Sequence, residues 1–413
     1  MFVGNVGLLF NALPSKNLTP PSSSVAYFLS GRGRRQRTHG PRRRGSRLVK
    51  REPDTLPGAM TTIVMERIGR LFISLQHIKQ VPRLLTSEAS PSMPGTVRDT
   101  EVPHFFRERY VGTGYRPLHQ CWRYYFLSAF HRHNETINIW THLLAFLVLL
   151  AKMSDVAQSV DLAQDRHAWP LLILFLSALN YTAWSVVAHL LGGKSEMCHY
   201  AFFFLDYVGV AQYQYGSAVV HYYYAAEEGF HRWMGPIFMP VAAFLSWLSC
   251  LGCCYGKYRN HTLPPWVRKV GQVAPSTIAY MWDISPVVHR LLLSNPENDP
   301  AFVHHLSHIA FFLGCAVFFA FPVLERCWPG GCDFLGQGHQ LFHILLSCCT
   351  LCQIHASQLD YESRRQVYTL LHAGDDAAFF VNLYGLTLFM CILIAAFMLR
   401  KAKRLLDRQT KSK

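Results

Sequence analysis

Charge is scarce in this 413-residue chain: Asp, Glu, Lys and Arg together make up 16% of it, against 50% hydrophobic residues. Soluble domains carry roughly a quarter charged residues, so an ordinary soluble enzyme is excluded and an all-α polytopic membrane protein is expected. Acidic residues are the scarcer kind, 25 against 40 Lys and Arg, for a formal charge of +15. That excess is local: residues 1–60 hold 11 Lys/Arg and 2 Asp/Glu, so 9 of the 15 charges come from there. The run Arg32 to Arg51 lacks aromatic interleaving and precedes membrane spans, so no nucleic acid partner is expected, and a solvated or anionic-lipid-facing role is. A secretory signal pattern is missing as well: the apolar stretch Val3 to Leu13 is brief and its basic residues come after it. So is a disulfide framework. Most of the 12 cysteines lie within or beside apolar runs and read as small hydrophobes. Cys253-Cys254, beside Tyr255 and Lys257, offers a palmitoylation site, but packed free thiols are the expected state.

What is present is length in apolar runs. A helix crossing a bilayer needs about 20 mostly apolar residues, and eight runs qualify: 137–153, 169–191, 199–223, 233–254, 270–292, 303–323, 338–359 and 378–399. The first is short, with a possible start in the aromatic stretch Trp122 to Phe126; the fifth is the weakest because it carries Asp283, His289 and Arg290. Placing the N-terminus in the cytoplasm gives the inside loops and tail 13 Lys/Arg and the outside loops 5. This asymmetry favours both termini cytoplasmic and eight spans, a seven-helix receptor-type bundle plus an eighth C-terminal span. The expected organisation is a basic, disordered leader over 1–59, a cytoplasmic amphipathic and interfacial segment over 60–136, the bundle over 137–399 and a basic cytoplasmic tail over 400–413. Within the second segment Val64, Ile68, Leu71, Phe72, Leu75 and Ile78 form one helical stripe suited to a membrane surface.

Ionisable groups inside apolar runs are functional candidates by default. His189 closes the second run four residues after Ser185, Asp206 opens the third, and His339 and His343 open the seventh with the i,i+4 spacing that puts two imidazoles on one helical face. In the topology above all four share one depth near the cytoplasmic side, as do Glu135, Asn138 and His142, so a polar cluster is expected in place of independent core histidines. Three imidazoles suit Zn2+, with Asp206 as a fourth ligand or as the acceptor for a zinc-bound water. Ser185 either reaches that water or bonds to a carbonyl of its own helix. Gln214, eight residues beyond Asp206 on the same face, is a candidate for holding a ligand's ketone or hydroxyl, or else an interhelical contact. Asp283 and His289 flank Pro286, where a kink is expected, and both are candidates for lining the same cavity. The triplets beginning at Asn17, Asn134, Asn180 and Asn260 fall in no lumenal loop and read as chance glycosylation matches.

Six ordered motifs carry a family resemblance over about residues 60–413: Gly114-Tyr115-Arg116-Pro117, Glu135-x-x-Asn138-x-x-x-His142, Ser185-x-x-x-His189, Asp206-Tyr207-x-Gly209, Asp283-Ile-Ser-Pro286 with His289-Arg290, and Gly338-His339-Gln340-x-x-His343. Together they resemble the progestin and adipoQ receptor family, and its progestin branch, which shares the eighth span. The resemblance implies that His189, His339 and His343 hold zinc and that Asp206 acts through water. It implies a plasma-membrane receptor for progesterone or a related progestin, acting through an inhibitory heterotrimeric G protein and surrounded by membrane lipids. It also implies an alternative, a zinc-dependent lipid amide hydrolase of the ceramidase kind, in which Asp206 or Ser185 would orient the attacking water. A proton or ion path, which would require polar groups across the full thickness of the bilayer, is disfavoured because the expected cluster is confined to one leaflet.

Overall fold

The computed structural model describes residues 94–259, 264–373 and 377–411. The leader, the amphipathic stripe from Val64 to Ile78, Asn17 and Asn260 lie outside the described residues. The described chain is all-α: α1 Trp122–Ser128, α2 Thr136–Ser159, α3 Trp169–Leu191, α4 Glu196–Val220, α5 Glu228–Tyr258, α6 Pro265–Asp283, α7 Ser285–Leu293, α8 Phe302–Ala320, α9 Val323–Cys327, α10 Gly338–Ser363, α11 Arg365–His372 and α12 Ala377–Lys411. A long helical segment stands at each of the eight predicted runs. Five of them, α2, α3 with the turn before it, α5, α8 and α12, are long and apolar enough to cross a membrane by composition alone. The other three segments, α4, α6 and α10, fall outside that class because they carry the polar residues of the interior.

Local sequence sets the helix ends. Asp165 caps the turn into α3 by accepting from the His167 N–H, Pro170 occupies the first turn, and the chain leaves at Gly192. Ser195 caps α4 by accepting from the Cys198 N–H at 3.2 Å. Three boundaries differ from the sequence reading. The aromatic stretch before the first span is a separate short helix, α1, so that span begins at Thr136 and runs 24 residues. The fifth run is broken at Ile284 into α6 and α7, because Pro286 lacks the N–H that would continue the ladder and settles into the first turn of the new helix. The third run ends in a π-helical turn, His221–Ala225, which re-aims His221 inward.

α3 packs between α2 and α4, α4 also packs on α5 and α12, α5 on α6, and α10 on α2 and α8. The α3–α4 contact is tight because Gly209 has no side chain: a Cβ there would lie 2.8 Å from the Tyr181 Cα. Between α6 and α8 the wall is made by side chains, with the Tyr280 and Phe312 rings stacked at 3.5 Å. Cys253 and Cys254 are buried, so the packed-thiol expectation holds, and the cysteines from Cys121 to Cys391 are all free. Ahead of α2, residues 94–135 form a cap closed by the antiparallel bridge between Val97 and Tyr115. Gly114, at a φ of +86°, makes the turn that lets its carbonyl accept from the Asn134 N–H at 2.9 Å. Asn134 is buried in that contact and Asn180 sits inside α3, which removes both as glycosylation candidates.

Candidate functional site

The three histidines singled out by spacing come together. One ring nitrogen from each of His189, His339 and His343 lies within 4.8 Å of the other two. His189 arrives from the last turn of α3, and the other two from the first turns of α10, on the same face. The start of α10 is built for that placement. Gln337 and Gln340 form a reciprocal capping pair, and the buried Glu325 of α9 accepts from the Gly338 N–H at 2.6 Å. A carboxylate at a helix N-terminus satisfies an otherwise orphaned donor and complements the helix dipole.

Hydrogen bonds fix which nitrogen faces the centre in two of the three rings. His189 Nδ1 donates to the Glu135 carboxylate at 2.7 Å, which leaves its Nε2 toward His339 Nε2 at 3.3 Å. His343 Nδ1 donates to the Asn138 carbonyl at 3.2 Å and lies 3.1 Å from the Thr141 hydroxyl, leaving its Nε2 for the same centre. Two nitrogens bound to one tetrahedral ion at about 2.0–2.1 Å stand roughly 3.3 Å apart. The observed His189–His339 spacing therefore fits a zinc-sized ion, and the Glu135–His189 pair is the carboxylate–imidazole arrangement that orients metal ligands.

The Glu135/Asn138/His142 motif, which the sequence left without a role, now has one. Asn138 Nδ2 donates to the same Glu135 oxygen at 2.7 Å. Burial alone would push the Glu135 carboxyl up, but His189, Asn138 and the Arg116 charge hold it below the usual carboxylate range. His133 holds the chain entering this motif. Its Nε2 donates to the Ser128 carbonyl at 3.1 Å and its Nδ1 accepts from the Glu135 N–H at 3.1 Å. That pattern suits only the neutral ring, and burial with the nearby Arg116 charge lowers its pKa to about 3. His142 stacks face to face on His343 with centroids 3.6 Å apart, and its Nδ1 pairs with the Ser185 hydroxyl at 2.7 Å. Ser185 therefore turns toward the cluster and not to a carbonyl of its own helix.

Sequence reasoning quoted Arg116 without a role and missed Glu325. The Arg116 guanidinium is buried and donates to the main-chain oxygens of His189 and Leu190, each at 2.6 Å, and to Ser128 Oγ at 2.9 Å. It ties the end of α3 to the cap. Both contacts link segments remote in sequence, so no local spacing announces them.

The cluster forms one end of a cavity of about 1360 Å³, including its mouth, enclosed by α2, α3, α4, α6, α8 and α10. Asp206, Val210, Tyr213, Gln214 and Ser217 line it from one face of α4, with His221 beyond them. Asp206 stands in the wall beside the histidines but is not among the three clustered ligand atoms. Gln214 also faces the cavity; its Nε2 donates to the Ser276 carbonyl at 3.4 Å, while its Oε1 has no hydrogen-bond partner among the described residues. Asp283 lines the cavity, whereas His289 does not. Six residues and a helix break later, His289 faces a separate groove with Trp233, Ile278 and Trp282. Polar groups are not confined to one end of the bundle: His221, Asp283, His308 and Gln353 surround the other end of the same cavity. Beyond them His308 meets His305, which meets Asp360, and Asp360 and Asp299 hold Arg290.

Known proteins resemble this chain in sequence. The haemolysin-III-related family profile matches residues 130–354, from the cap to the middle of α10. Membrane progestin receptor alpha-B of Danio rerio is 52% identical over 346 residues, 83% of this chain and 97% of the relative. Membrane progestin receptor alpha of Homo sapiens is 47% identical over 348 residues, 84% of this chain and 99% of the relative. Membrane progestin receptor beta of Homo sapiens is 46% identical over 316 residues, 76% of this chain and 89% of the relative. A profile covering more than half the chain, with relatives of this identity matched over nearly their whole length, leaves one assignment: the chain belongs to the haemolysin-III-related, progestin and adipoQ receptor family, and resembles its membrane progestin receptors, the alpha type foremost.

Proposed function

We propose that this chain is a plasma-membrane progestin receptor that binds its steroid in the cavity among α3, α4, α6, α8 and α10, with Zn2+ at the histidine cluster. The observation that carries the reading is the cavity itself: an apolar chamber with a few polar groups, in a chain about half identical to proteins named membrane progestin receptors. The ring-nitrogen geometry of His189, His339 and His343 supports the metal. When bound, zinc would supply a fixed positive charge that braces α3 against α10. Glu135 orients His189, Asn138 and Thr141 orient His343, and Asp206 and Ser185 face the space beside them. Both termini are cytoplasmic on the Lys/Arg asymmetry, which puts the cap and the cluster on the side where an inhibitory G protein would read the state of the bundle. A ligand can shift that state only by binding two arrangements unequally.

The test is binding of radiolabelled progesterone to membranes expressing the chain. Saturable binding is expected, with about one zinc per purified chain that falls on His339→Ala. Absence of saturable binding overturns the steroid reading, and absence of zinc overturns the metal. The second reading, a lipid amide hydrolase, is favoured by one arrangement: Asp206 and Ser185 lie in the cavity wall beside the three histidines. It requires release of fatty acid from ceramide by purified protein, lost in His339→Ala.

A further inference from the structure

The end of the cavity remote from the histidine cluster carries two buried polar atoms that no described residue satisfies. Hydrogen-bond accounting isolates them. Both polar atoms of Gln353 are engaged, its oxygen accepting from Tyr213 at 2.6 Å and Ser217 at 3.3 Å and its nitrogen donating to His221 Nε2 at 2.9 Å. His221 is used as well, since its Nδ1 donates to the Asp283 main-chain oxygen at 3.0 Å. His308 pairs through Nε2 with His305 Nδ1 at 3.1 Å. What remains is the Asp283 carboxylate oxygen Oδ1 and the Tyr280 hydroxyl, both without a hydrogen-bond partner among the described residues. Oδ1 stands 3.9 Å from His221 Nδ1, too far for a hydrogen bond, and that N–H is already committed. Asp283 is 5% exposed and Tyr280 8% exposed, and both line the cavity. They are three residues apart on α6, hence on one face.

Unsatisfied polar groups at this depth each cost roughly 1–3 kcal/mol, so the pair is matched to something that enters. Its chemistry is specific. The carboxyl oxygen Oδ1 of Asp283 can accept, and a phenol can donate. One small group answers both at once: a hydroxyl, which donates to Asp283 and accepts from Tyr280. A ketone can only accept, so it leaves Oδ1 without a donor. We propose that the distal end of this cavity holds a hydroxyl group of an elongated apolar ligand between Asp283 and Tyr280. The length follows from α4. Ser217 and His221, at this end, lie 11 and 15 residues beyond Asp206, about 16 and 22 Å of helix. A ligand touching both ends therefore needs a long rigid skeleton or an extended chain. This deepens the steroid reading above and rests on it for the skeleton, though not for the hydroxyl.

The test uses the full chain in phosphatidylcholine nanodiscs and two pairs of probes. The first pair is a progestin and its reduced analogue, identical except that the side-chain ketone is a hydroxyl. The second is an ω-hydroxy fatty acid and its parent fatty acid. In the wild type the hydroxylated steroid should bind several-fold more tightly than the ketone, the scale of about one neutral hydrogen bond. Asp283→Leu should bring that ratio to about one, and the near-isosteric Asp283→Asn should reduce it while keeping the fold. Tyr280→Phe should weaken both steroids alike, because both accept from the phenol. A bundle merely damaged by substitution would lose both members of the pair in the Asp283 variants. Equal binding of the pair by the wild type, or a preference that survives Asp283→Leu, overturns the proposal. If neither steroid binds the wild type, the steroid reading fails alone. The fatty acid pair then decides: an Asp283-dependent preference for the hydroxylated member upholds the hydroxyl site, and its absence overturns it.

Discussion

Glu135 offers the sharpest test of the histidine cluster, because it touches His189 without being one of the three clustered ligands. Its Oε2 accepts from His189 Nδ1 and from Asn138 Nδ2, each at 2.7 Å, and among the described residues no other carboxylate is hydrogen-bonded to the three rings. Removing the acceptor frees the His189 ring to rotate and to take the tautomer that points N–H at the centre. Loss of such a supporting group typically lowers metal affinity 10–100-fold, about 1.4–2.7 kcal/mol. Glu135→Ala should fall in that range. Glu135→Gln, which keeps an oxygen for the ring N–H but drops the charge, should fall near its lower edge. Asn138→Ala, which removes only the brace on the carboxylate, should cost less than Glu135→Ala. The assay is zinc retention by purified protein against a graded series of chelator concentrations, read by elemental analysis. The reasoning is refuted if Glu135→Ala holds zinc as tightly as the wild type, or if Glu135→Gln loses as much affinity as Glu135→Ala.

Three further outcomes are expected. His133 is held neutral with a pKa of about 3 against about 6.5 unfolded, so its share of stability is present above pH 6.5 and is lost as pH falls toward 3. About 2 kcal/mol should disappear between pH 7 and 5, and His133→Gln should flatten that part of the melting-temperature profile; an unchanged slope removes His133 as the cause. Asp360→Ala leaves both Arg290 and His305 without their shared buried partner and should cost about 3–5 kcal/mol, with a melting temperature equal to the wild type as the contrary result. Gly209→Ala drives a Cβ against the Tyr181 backbone and should cost about 1–3 kcal/mol, whereas Gly385→Ala, where a Cβ meets nothing within 4 Å, should cost nothing measurable. Equal melting of the two glycine variants would mean that α3 and α4 are free to separate.

The spans and the three histidines were legible because both rest on local periodicity. Apolar runs of bilayer length are one-dimensional signals, and an i,i+4 pair such as His339 and His343 announces its shared face without tertiary knowledge. Asp206 and Gln214 were readable for the same reason, since their spacing alone places them on one face of α4. The contacts that complete the site are not periodic. Arg116 reaches 73 residues along the chain to the His189 carbonyl, and Glu325 reaches 13 residues to the first N–H of α10. The break at Ile284 was half visible: Pro286 promised a kink, but only the fold shows that α6 stops before it and sends His289 away from Asp283. The second polar end of the cavity was hidden because its members come from α4, α6, α8 and α10 and meet only once the bundle closes.

The cap over residues 94–135 sets a practical boundary. Arg116 holds the end of α3 and Glu135 holds a ring of the cluster, while Asn134 and Asp333 join the same segment to the turn that starts α10. Trimming the chain up to about Val97 leaves every one of these stitches intact, whereas deleting Tyr115 to Glu135 would release two helices that carry the histidines. A minimal version for structural work, or a fusion that replaces the leader with a reporter, therefore has its natural junction ahead of Val97. A reporter spliced inside the cap would sense the histidines and disturb them at the same time.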